Sequence, residues 1–160
     1  MKFTRFSLLS LVFPFISAPV GALDLTGTWT GKFNCSNFDG FKFNTVDKQQ
    51  ILKISQFGKK ISVEWVGVAN FTGFVVDDLK KPDSKGQAAI ADCLTTSDLT
   101  AGFAEMAKLN ASGVNRSKGK GSLKGTSIYS LPVPPETVGQ CNWTFKLSSP
   151  VDPGVGASCP

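Results

Sequence analysis

A chain of 160 residues with 17 basic and 12 acidic side chains has room for one well-buried domain. Its mild charge excess points to no nucleic-acid partner. It contains no histidine, which excludes a Ser-His-Asp triad, a Cys-His pair and His-ligated metals.

The N-terminus begins Met1-Lys2-Phe3-Thr4-Arg5, continues in an apolar run from Phe6 to Ile16, and ends in small residues around Val20 and Ala22. These are the three parts of a cleavable secretory signal, with the cut expected after Ala22. The apolar run is shorter than the roughly 20 residues a membrane-crossing helix needs, and Pro14 and Pro19 interrupt it. The product is therefore expected to be secreted or periplasmic, with residues 23–147 forming the folded domain and residues 148–160 an irregular, Pro- and Gly-rich tail. No later run is long enough to span a membrane.

Period-two alternation then dominates. Leu25, Trp29, Phe33 and Cys35 share one face of a first strand, opposite Thr26, Thr28, Thr30 and Lys32. A second strand is predicted over Ile51 to Phe57, a third over Ile61 to Val68, a fourth over Phe71 to Val76 and a fifth over Gln87 to Cys93. Asp98 to Asn110 contains helix formers behind a capping Ser97, but its strand neighbours favour a strand from about Phe103 to Asn110. Ser122 to Leu131 and Gln140 to Leu147 complete the set. In the last, Cys141, Trp143, Phe145 and Leu147 share a face.

Eight short strands with short links and no βαβ rhythm predict an all-β fold. The favoured architecture is an eight-strand antiparallel up-and-down barrel, whose closure removes exposed edges. A two-sheet β-sandwich is the alternative. Four cysteines in an exported chain favour two disulfides, and the absence of a CxxC pair argues against zinc. Three pairings are possible. The barrel order favours Cys35 with Cys141, since strands one and eight meet on closure, which leaves Cys93 for Cys159 on the tail. No metal and no cofactor are implied.

Candidate functional residues fall in three places. Phe33, Trp65, Trp143 and Phe145 lie on the expected inner face with Trp29 and Val63, a lining that suits a flat or apolar ligand or simply fills a solid core. Phe38, Phe41 and Phe43 crowd the first loop, where they form a partner-binding patch unless Phe41 and Phe43 belong to an early extension of strand two and so to the core. Arg116, Lys118, Lys120 and Lys124 make a basic hairpin, either a contact for an acidic partner or a solvated edge. Asp77-Asp78 points to opposite faces of a strand and is a poor acid–base pair. Sequons at Asn34, Asn70, Asn110, Asn115 and Asn142 would accept glycans only in a eukaryotic secretory route. Nothing here points to an enzyme.

The stretch Leu25-Thr26-Gly27-Thr28-Trp29 resembles the opening strand of calycin barrels, where lipocalins carry Gly-x-Trp and avidins Leu-Thr-Gly-x-Trp. In those families the Trp closes the barrel floor, which implies a structural role for Trp29. The chain departs from the pattern in having no second lipocalin signature and no Arg in the last strand to stack on the Trp. The resemblance implies a small-ligand carrier. The alternative from another class is a proteinaceous inhibitor of an exported protease or lysozyme, acting through the Phe38–Phe43 loop.

Overall fold

The inward residues recur at every second position along the strands and are mostly apolar, so the sheet can hide them only by curling on itself. It does so completely. The computed structural model describes residues 22–37, 42–43, 49–93, 104–131, 137–156 and 159. Among these residues nine strands run β1 (Gly27–Asn37), β2 (Lys42–Phe43), β3 (Gln50–Phe57), β4 (Lys60–Trp65), β5 (Ala69–Asp77), β6 (Gly86–Asp92), β7 (Ala104–Asn115), β8 (Lys120–Leu131) and β9 (Thr137–Ser149), with one 3-10 turn at Arg116–Lys118. From β3 to β9 each strand pairs antiparallel with the next, and β1 pairs with β3 on one side and β9 on the other. The two-residue β2 pairs with β1 beyond the reach of β3, with Cys35 opposite Phe43. The wall is therefore a closed eight-strand antiparallel up-and-down barrel.

Closure rests on the long β1–β9 ladder from Thr28↔Ser149 to Asn37↔Gly139, with a bulge between Thr28 and Trp29. Cys35 stands opposite Cys141 in that ladder, and the two are bonded. The second bridge joins Cys93 to Cys159.

Three boundaries differ from the alternation pattern. The expected third strand stops at Trp65, because Gly67 takes a left-handed turn with φ 77° and Val68 donates its N–H back to the Trp65 carbonyl. The ambiguous segment is a strand over Ala104–Asn115, in which buried Ala107, Leu109 and Ala111 alternate with exposed Met106, Lys108 and Asn110. The last strand continues to Ser149 before the tail begins. The candidate signal falls in residues outside the described set, apart from Ala22.

One end of the barrel is shut. Leu23 and Leu25 are fully buried in the segment that precedes β1. Gln56 of β3 holds this segment with both ends of its amide, accepting from the Leu25 N–H at 2.9 Å and donating to the Leu23 carbonyl at 2.7 Å. Trp29 is also fully buried, and its indole N–H donates to the Leu25 carbonyl at 2.9 Å. The ring lies over Gly121, where a Cβ would come within 2.8 Å of it. Trp29 is thus a floor residue.

Candidate functional site

The opposite end is the mouth, where β1, β4, β6 and β8 finish and β3, β5, β7 and β9 begin. Below it sits an aromatic stack. Phe33 and Trp65 ring centroids are 4.2 Å apart, Phe33 and Trp143 5.1 Å, Trp65 and Trp143 5.8 Å, and Trp143 and Phe145 6.0 Å. Phe71 meets Trp143 edge-on at 5.9 Å. These are contact separations for aromatic pairs. The four inner-face residues singled out from the sequence are therefore brought together, and they fill one another's space. Phe33 and Trp65 are the rings of this stack that retain the most exposure (4% and 7%).

Polar groups ring the top of the stack, and most of them escape a reading of the sequence. The Trp65 indole N–H donates to Gln50 Oε1 at 2.8 Å. The Trp143 indole N–H donates to Ser127 Oγ, also at 2.8 Å, and Ser127 is 1% exposed. With its oxygen so engaged, the Ser127 hydroxyl is free to donate, and it bonds the Glu105 carboxyl. Glu105 shares the inward parity of Ala107 and Leu109 and lies one step nearer the mouth, opposite Tyr129 in the ladder. Its Oε1 is buried and has no hydrogen-bond partner among the described residues. Asp92, on the inward parity of Ala88 and Ile90, faces it electrostatically. Burial pushes the Glu105 pKa above its ordinary value of 4.5; the Ser127 hydroxyl opposes the rise and Asp92 adds to it.

Tyr129 completes the rim. Its phenol lies across Gly139 toward β1, since a Cβ on Gly139 would stand 2.4 Å from the Tyr129 hydroxyl and 2.5 Å from the Ser36 carbonyl. The mouth thus offers a flat aromatic base, one buried carboxyl oxygen with nothing to accept from, and a second carboxylate nearby. Glu105 was legible in the sequence only as an acidic residue breaking the apolar alternation of its strand.

The other candidates separate. Phe38 and Phe41 lie outside the described residues, and Phe43 belongs to β2, paired with Cys35 at the mouth. Arg116 does not project from a free basic hairpin. Its guanidinium folds back to the floor, where it pairs with Asp24 and donates to the Pro150 carbonyl. Arg116, from the β7–β8 connection, thus ties the segment before β1 to the residue that follows β9. Asp77 pairs with Lys59 and accepts from the Leu23 N–H, while Asp78 accepts from the N–H groups of Lys80 and Lys81, so the two carboxylates have separate structural tasks. All five sequon asparagines are exposed. Among the described residues no group of three or more potential metal ligands occurs, and no helix is long and apolar enough to cross a membrane.

Comparison with protein-family models, with curated proteins and with solved structures finds no match to this chain.

Proposed function

We propose that this chain is an exported binding protein, secreted or periplasmic, and not an enzyme. Its barrel would hold a flat, largely apolar small molecule at the mouth, seated on Phe33 and Trp65 above Trp143 and Phe145. The observation that carries this reading is the buried, unpartnered Oε1 of Glu105. A buried carboxyl oxygen costs free energy unless something satisfies it. A purely structural core would gain by replacing it, so its presence marks a place where a ligand completes the hydrogen bonding. The ligand would then carry a donor, such as an amine or ring N–H, beside its flat apolar body. The calycin-like opening strand and the two disulfides support the same reading, the first by analogy of fold and the second by the oxidising compartment they require.

Thermal melts with three bicyclic probes test it. Tryptamine, indole and indole-3-acetate share one flat body and differ in charge. Tryptamine should stabilise the barrel most and indole-3-acetate least, by about 2.7 kcal/mol at a hundredfold excess over Kd for the preferred probe. Glu105→Gln should erase the order of preference. If no probe stabilises the protein, or the order persists in Glu105→Gln, the proposed site is wrong.

A further inference from the structure

The outer wall of the barrel is divided in two. The tail straps one half: Val155 donates its N–H to Ser55 on β3 at 2.9 Å, Asp152 and Val155 border a groove with Ile61 of β4 and Thr72 of β5, and Cys159 is bonded to Cys93 just beyond β6. Among the described residues, nothing covers the other half. In the ladder, Thr72, Ala91, Met106 and Ile128 stand side by side from β5 to β8, and Phe74 and Ala89 follow in the next row. Phe74 is 59% exposed, Met106 68% and Ile128 58%. Small Ala89 and Ala91 form the bed of a trough on β6, with Phe74 on one bank and Met106 and Ile128 on the other, enclosing about 480 Å³. A second apolar hollow of about 350 Å³ shares Met106 and Ile128 and reaches Val138 near the mouth.

Charge on this wall has one sign. From β6 through β9 to β1 the outward side chains include Lys32, Lys108, Lys120, Lys124 and Lys146 and, among the described residues, no carboxylate. Lys108 stands in the Phe74 row, and Lys124 and Lys32 in the row below. The wall therefore has an apolar band toward the mouth and a lysine band beneath it. A contiguous exposed apolar patch marks a contact surface, and the lysines make its partner anionic. The wall presents no outward Arg, Tyr or Trp among the described residues, the side chains in which protein–protein contacts are enriched, and it is built on Lys, in which they are poor. Lysines beside apolar side chains suit a diffuse anionic interface in which charges need no fixed geometry.

We propose that the β5–β8 wall docks on an anionic lipid bilayer surface, with Phe74, Met106 and Ile128 entering the interfacial layer and Lys108 and Lys124 meeting lipid phosphates. The proposal is independent of the ligand at the mouth. Co-sedimentation of the mature, disulfide-bonded protein with vesicles tests it, comparing pure phosphatidylcholine with equal parts phosphatidylcholine and phosphatidylglycerol. Binding should be at least about tenfold tighter to the anionic vesicles and should weaken with salt. Replacing Lys108 and Lys124 together by Gln should cost about thirtyfold, at roughly fivefold per lysine. Met106→Ser with Ile128→Ser should abolish binding with the melting temperature unchanged, whereas Lys53→Gln on β3, across the barrel and paired with Glu64, should have no effect. Equal binding to both vesicles, or none, would overturn the proposal. So would sedimentation of a dimer that the Met106→Ser, Ile128→Ser variant dissolves, since the wall would then belong to a second copy.

Discussion

Trp29 and Glu105 occupy opposite ends of the barrel and carry opposite kinds of energy. Trp29 is a fully buried ring with its N–H satisfied. Trp29→Ala should cost about 3–5 kcal/mol in a denaturant melt and leave any ligand affinity nearly intact. Glu105 behaves in the reverse way. Its raised pKa means that the native chain holds this proton more tightly than the unfolded chain. As pH rises from 4.5 through the folded value, the unfolded state releases its proton first and stability falls. Above the folded pKa the full cost is present, and below 4.5 it vanishes because both states are protonated. Glu105→Gln should therefore be more stable than the parent at neutral pH and no more stable at acid pH. Stability curves for the two proteins that run parallel across this range would show that the carboxyl is not desolvated.

The tail is an element in its own right, although its described residues form no helix or strand. Its hold on β3 runs through Ser55, which bonds Asp152 and Val155, and its far end is pinned by Cys159. The Ser55 hydroxyl and the Gly154 N–H keep the Asp152 carboxyl below its usual range. Cys159→Ser should cost about 2–4 kcal/mol through the freed unfolded chain, measured by melts under non-reducing conditions. It should also speed hydrogen exchange over β3 and β4 while leaving β8 and β9 unchanged; uniform acceleration would mean that the tail braces the whole barrel. The strands themselves were largely legible in the sequence, because alternation such as Cys141, Trp143, Phe145 and Leu147 admits one inward face. The end of β4 was not, since Val66 and Val68 continue the apolar pattern and only the left-handed Gly67 turns the chain away. The floor arginine was missed for a related reason. Arg116 looks like one member of a basic hairpin until folding brings Asp24 and Pro150 to it from 92 and 34 residues away.

At the scale of the whole molecule, the barrel is sealed at one end by Leu23, Leu25, Trp29 and the Arg116–Asp24 pair, and furnished at the other with an aromatic stack and a carboxyl oxygen without a partner. The stack could be read from the sequence as inward-facing aromatics. The polar rim could not, because Gln50, Asp92, Glu105, Ser127 and Tyr129 come from four strands and share no local motif. The asymmetry between the ends is the ground for proposing a binding protein and for placing its ligand at the mouth. Native mass spectrometry of the protein purified from its own source, with both disulfides intact, tests that claim most directly. The expected result is a species heavier than the bare chain by the mass of one small molecule, and only the bare mass for a Glu105→Gln, Trp65→Ala variant prepared in the same way. A parent protein that flies at its bare mass, or in complex with another exported protein, would contradict it.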